Sequence, residues 1–139
     1  MISLTSALKT AAVTLTVAAG CASAQGLKAN IPFTFKAGGA VLPAGSYLVS
    51  ESAGMKYVQM RNMDDRKSIL LVPSSASDAS KAWRSEGTPK LGFVCGDGRC
   101  VLTQLWNGEG PSYQFHTPGF GKNTKTHVAV IVMHRDSGE

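Results

Sequence analysis

The sequence predicts an all-β domain, either a small antiparallel β-barrel or a two-layer β-sandwich, of about seven short strands. Three observations carry that prediction. Short runs alternate apolar and polar residues with a period of two, turn residues recur between them, and no amphipathic helix exceeds a couple of turns. Barrel and sandwich both hide strand edges. About 115 residues in consecutive hairpins close on themselves more readily than they supply two broad sheets, which favours the barrel. There is no internal repeat.

The domain follows a leader. Lys9, the apolar run Ala11 to Ala19 and the small residues Ala22-Ser23-Ala24 ahead of Gln25 have the three parts of a cleavable signal peptide, assigned to residues 1–24. The apolar middle is about ten residues, half the roughly twenty that a spanning helix needs, so the leader is expected to be removed rather than kept as an anchor. Small residues also precede Cys21, at Ala18-Ala19-Gly20, and define a second reading in which Cys21 carries a lipid and tethers an envelope protein; Ala18 stands where such sites usually have Leu. Cleavage after Ala24 leaves residues 25–139 as a single all-β domain, periplasmic or extracellular. The longest later apolar run, Val128 to Met133, is too short for a transmembrane segment.

Ile31-Pro32-Phe33-Thr34-Phe35 places three apolar side chains on one face, with Pro32 suited to an edge or a strand start. Gly38-Gly39 turns the chain, and Leu42-Pro43-Ala44-Gly45 forms a second turn into a strand from Ser46 to Ser50. Met55 to Met60 and Ser68 to Val72 are the next two strands, joined through Asn62-Met63-Asp64-Asp65, whose side chains can bond the backbone of a turn. Pro73 to Lys90 is polar and reads as a loop or lid, with one helical turn between Asp78 and Trp83. Leu91 to Cys95 and Cys100 to Trp106 form the clearest hairpin, turning through Gly96-Asp97-Gly98-Arg99, because Asp and Gly suit the left-handed backbone of tight hairpin turns. A short strand is expected at Tyr113 to His116. The last, Thr126 to His134, is apolar on both faces and is expected in the middle of a sheet.

Export leaves two cysteines, Cys95 and Cys100, in a compartment where thiols pair. A symmetric hairpin sets them opposite each other, about 4.5 to 5.5 Å apart at Cα, within the reach of a disulfide. So short a loop gives the bond roughly 2 kcal/mol of stabilisation. Catalytic redox pairs sit closer in sequence and at a helix start, so the bond is read as structural.

No catalytic residues, metal ligands or cofactor are assigned. The net charge is +5, with Lys9 in the leader, and the basic residues are scattered from Lys28 to Arg135, which excludes the focused field of a nucleic-acid face. His127 and His134 differ by an odd number and would point to opposite faces of a strand, which argues against a shared metal unless a bulge intervenes. No serine sits in a nucleophile elbow, and the carboxylates are dispersed. The ligand-binding candidates are Tyr113, Phe115, His116 and Phe120, rings set among Gly108, Gly110, Gly119 and Gly121, where a small molecule, a glycan or a protein could bind. The alternative is that Tyr113 and Phe115 plug one end of the barrel. A rival catalytic reading makes the chain a small periplasmic hydrolase or metal-binding protein, with His116 against a carboxylate such as Asp97 or Glu109.

Ile31-Pro32-Phe33, Phe35, Leu42-Pro43-Ala44-Gly45 and Tyr47 resemble the opening of a family of small secreted proteins of unknown function, common in acidobacterial soil bacteria. The likeness runs on through the hairpin that ends at Trp106. Its motifs are turn and core residues; it implies a fold and export, and no catalytic or ligand residues. The chain departs from that family after Trp106, where such proteins often end in a charged, helix-prone tail and this one enters the strand Val128 to Met133. Together these observations predict an exported, non-catalytic domain that binds a ligand or contributes to the envelope.

Overall fold

The computed structural model describes residues 26–117 and 119–135. The leader expected over residues 1–24, with its cleavage site and Cys21, lies outside the described residues. Twelve strands form among them: β1 (Leu27–Ile31), β2 (Phe35–Ala37), β3 (Ala40–Leu42), β4 (Gly45–Glu51), β5 (Val58–Asn62), β6 (Ser68–Leu71), β7 (Ser75–Asp78), β8 (Lys90–Gly96), β9 (Arg99–Trp106), β10 (Pro111–Gln114), β11 (His127–Val132) and β12 (His134–Arg135). One short helix, α1 (Lys81–Glu86), and a 3-10 turn at Ala53–Met55 complete the regular structure.

The strands make two sheets, and neither closes into a barrel. The five-stranded sheet runs β12-β1-β4-β5-β6, antiparallel throughout. The seven-stranded sheet runs β11-β8-β9-β10-β7, with β2 added parallel to β9 and β3 beyond it. The physical reason lies at two breaks. Pro32, which cannot donate to a ladder, ends β1 in the smaller sheet, and three residues later β2 begins in the larger. Met133 does the reverse, handing the chain from β11 in the larger sheet to β12 in the smaller while its N–H bonds Pro89 O at 2.9 Å. Successive strands thus divide between two sheets instead of curling into one. The expected count of about seven strands was low for the same reason: Pro32 and Met133 each split one apolar run in two, and the short strands β3 and β7 carry no strong alternation.

One core fills the space between the sheets. Ala29, Ile31, Tyr47, Val49, Val58 and Met60 face Phe35, Leu91, Phe93, Leu102 and Leu105, all buried. Phe35 meets Tyr47 and Phe93 edge to face at centroid separations of 5.3 and 5.4 Å. Tyr47 keeps its hydroxyl satisfied by donating to Pro43 O at 2.6 Å, which pins the Leu42–Gly45 turn to the core. The Asn62 turn forms as its residues suggested, with Asn62 Oδ1 accepting from the N–H groups of Asp64 (2.8 Å) and Asp65 (3.1 Å).

The β8–β9 hairpin is the spine of the larger sheet. Asp97 (φ 52°) and Gly98 (φ 70°) supply the two left-handed residues of its turn, and Cys95 faces Cys100 with Cα atoms 4.0 Å apart and a disulfide between them. Register shifts after Gly92, which pairs with Gln104 while Phe93 pairs with Leu102. Thr103 is the extra residue of this bulge, so Leu102 and Leu105, three apart, both reach the core.

The polar segment Pro73 to Lys90 is more ordered than a loop. β7 pairs with β10, and Ser112, fully buried there, donates to Ser77 O and accepts from Gln104 Nε2 and Gln114 Nε2. α1 is capped by Ser80 Oγ, which accepts from Trp83 N at 3.2 Å, and closed by Gly87 in the left-handed region. Its Trp83 stacks on Trp106 at 6.4 Å.

The last long strand is a sheet edge, not a centre. Among the described residues β11 pairs only with β8; Ala129 and Ile131 pack against the core while Val128, 68% exposed, Val130 and Val132 face outward. An apolar residue on each face signals burial only if a second layer lies over both faces.

Candidate functional site

The four ring-bearing candidates separate. Phe115 is buried in the core and donates its N–H to Thr103 O, at the bulge of β9. Tyr113, half-buried on β10, lies between Leu105 of β9 and Ala76 of β7. His116 is exposed just past the strand. Phe120 reaches a cleft: the chain from β10 crosses the tip of the β8–β9 hairpin on its way to β11, and Phe120 lands with its ring centroid 5.1 Å from the Arg99 guanidinium carbon.

That cleft has a volume of about 180 Å³ and is lined by Thr34, Phe35, Lys36, Val41, Gly98, Arg99, Cys100, Val101 and Phe120. Three segments distant in sequence build it. The β2–β3 hairpin brings Lys36 and Val41, because β2 runs parallel to β9 with Lys36 beside Val101. The hairpin tip supplies Arg99 and the disulfide, and the crossing loop supplies Phe120. Val41 is 70% exposed, so one apolar wall of the cleft is uncovered. Lys36 and Arg99 form no ion pair among the described residues, where the single ion pair joins Lys90 and Glu86.

A shallower depression shares the hairpin tip and adds Asp97, Lys125 and His127, with a volume of about 330 Å³. Here Thr124 Oγ1 donates to Asp97 Oδ2 at 3.1 Å and ties the crossing loop to the turn. Gly96 makes that close approach possible: an added Cβ would stand 3.0 Å from the carbonyl oxygen of Lys125.

At the other end of the molecule, Gly26, Leu27, Val49, Glu51, Asn107, Glu109 and Arg135 line a polar cavity of about 230 Å³. Burial pushes the Glu51 carboxyl above the usual glutamate range, and the Asn107 amide, donating to Glu51 Oε2 at 3.2 Å, partly offsets it. Glu109 and His116 are not joined by an ion pair, nor are Asp97 and His116. Among the described residues no group of three or more His, Cys, Asp or Glu side chains is placed to hold a metal ion, and no helix is long and apolar enough to cross a membrane.

Sequence reasoning missed Lys36, Val41, Arg99 and Val101. A parallel contact between β2 and β9 leaves no local mark, since neither strand is linked to the other by a turn. Arg99 was visible as the residue closing the hairpin turn, but its partner Phe120 lies far along the chain.

Comparison with protein-family models, with curated proteins and with solved structures finds no match to this chain.

Proposed function

We propose that this chain is an exported, non-catalytic domain that binds a small ligand in the cleft between the β2–β3 hairpin, the β8–β9 tip and Phe120. One observation carries the reading. Exposed Val41 and the Phe120 ring stand beside two cations, Lys36 and Arg99, that form no ion pair among the described residues, so apolar and positively charged groups from three distant segments converge on one cleft. The rigid sheet and the disulfide hold the tip while the crossing loop carries the ring, the usual division between scaffold and binding loop. Export rests on the leader pattern and fits a paired Cys95–Cys100.

A thermal-shift screen of small organic ligands tests the binding role, because a ligand that prefers the native state raises its melting temperature. The expected result is a concentration-dependent rise that Phe120→Ala abolishes. A rise unaffected by Phe120→Ala would place binding elsewhere. Intact mass of the native protein tests export: a start at Gln25 is expected, a start at Met1 overturns it, and a retained, acylated Cys21 replaces free export with an anchored envelope protein.

A further inference from the structure

We infer that the ligand of this cleft is an organic anion with one small apolar ring, of the chemical class of single-ring aromatic carboxylates; the inference rests on the binding role proposed above and sharpens it. The first argument is charge. Lys36 and Arg99 reach the cleft from different strands, and no acidic side chain among the described residues lines it. Asp97, the nearest in sequence, is held by Thr124 and lines the neighbouring depression instead. An anion therefore meets two cations without displacing a carboxylate already bound to them.

Geometry supplies the second argument. The Arg99 guanidinium lies over the Phe120 ring, 5.1 Å from its centroid. A guanidinium held near an aromatic ring by a cation–π contact still has N–H groups free to form the fork that a carboxylate accepts with two parallel hydrogen bonds. Contact with the ring also limits the conformations that Arg99 must give up on binding, which lowers the entropic cost of recognition.

Size and surface decide the rest. Val41, Val101, Phe35 and Phe120 give the cleft apolar walls, which an inorganic anion would leave unused. About 180 Å³ falls below the roughly 300 to 1,000 Å³ of sites for drug-sized molecules and matches a ligand of single-ring size. The edge of such a ring can pack against the face of Phe120 while its carboxylate reaches Arg99 and Lys36.

The experiment is an amide NMR titration of the disulfide-intact protein with phenylacetate, its neutral isostere phenylacetamide, the cation phenethylamine, and acetate. Phenylacetate is expected to shift Val41, Gly98, Arg99 and Val101 saturably and to bind about tenfold more tightly than phenylacetamide, the gain from one charge-assisted, bidentate pair. Acetate and phenethylamine are expected to leave those amides in place. Arg99→Gln and Lys36→Gln should each weaken phenylacetate binding several-fold while the rest of the spectrum keeps its dispersion. Equal binding of phenylacetate and phenylacetamide, or full affinity in Arg99→Gln, overturns the anion assignment and leaves the cleft as a binding site. Absence of saturable shifts with all four probes at millimolar concentration overturns the cleft as a site, and the proposed function with it.

Discussion

The two ends of the β8–β9 hairpin are built from the same pair of strands and end in opposite conditions. At the Lys90 and Trp106 end, α1 lies over the outer face: Trp83 stacks on Trp106, an added Cβ on Gly92 would stand 3.4 Å from the Trp83 ring, and Lys90 is 2% exposed with its ammonium bound by Thr88 and Glu86. At the Cys95 and Cys100 end, the crossing loop takes the place of a helix among the described residues, Arg99 is exposed, and a cleft opens under Phe120. Both ends are apolar in the sheet. What differs is the third layer: a packed helix seals one end, while a loop that crosses the other leaves a cleft beneath Phe120. Under the proposed binding role, stability and binding fall to opposite ends of one hairpin, and each should be open to disturbance with little effect on the other.

The covered end should therefore carry the larger stability effects. Trp106→Ala removes a buried ring, its stack with Trp83 and a hydrogen bond from Nε1 to Gly110 O, and is expected to cost about 3 to 5 kcal/mol in urea denaturation. A loss under about 1 kcal/mol would show that α1 seals nothing. Next in size is the disulfide. Replacing Cys95 and Cys100 together by Ser should lower stability by about 2 kcal/mol, measured against the oxidised protein, without unfolding the domain, because the closed loop is short.

Glu86→Gln should cost less than about 1 kcal/mol by thermal denaturation: Glu86 is itself largely exposed, and Lys90 keeps its bonds to Thr88. A greater loss would mean that the carboxylate, not Thr88, holds the buried ammonium. Glu51 gives a pH signature. Its folded carboxyl titrates above the ordinary glutamate range, so between those two values the native state binds more protons than the unfolded chain, and stability falls as pH rises through that window. Urea denaturation across mildly acidic pH should show this slope, and Glu51→Gln should remove it. The smallest effect belongs to the open end. Arg99→Gln should change stability by no more than about 0.5 kcal/mol while it weakens anion binding. A large destabilisation there would mean that the stack on Phe120 is a structural contact, and the division between the two ends would fail.

Much of the fold was legible because local chemistry dictates it. Asp97 and Gly98 fix the tight turn, that turn sets Cys95 against Cys100, and the Asn62 side chain folds its own turn. Less legible was everything set by pairing at a distance. Whether Ile31 and Phe35 lie in one strand or two depends on which sheet receives each, and Pro32 alone does not decide it. The valines of β11 look like a central strand because periodicity records apolarity, not whether a layer arrives to cover it. At the site, Phe115 and Phe120 share the same glycine-rich surroundings in sequence, yet a hydrogen bond to the β9 bulge takes Phe115 inward and the crossing path carries Phe120 out over Arg99.

β1 and β12 are paired, and Gly26 and Arg135 line one cavity together with Asn107 and Glu109, just beyond the Trp106 end of the hairpin. The strands of that hairpin span about 20 Å, so Gly26 and Arg135 lie at one pole of the molecule while Phe120 sits near the other. A tether, fusion partner or immobilising tag placed at either point would hold the domain upright with its ring-lined mouth directed away from the attachment, and linking Arg135 back to Gly26 would need only a short bridge, making new chain openings elsewhere in the fold practicable.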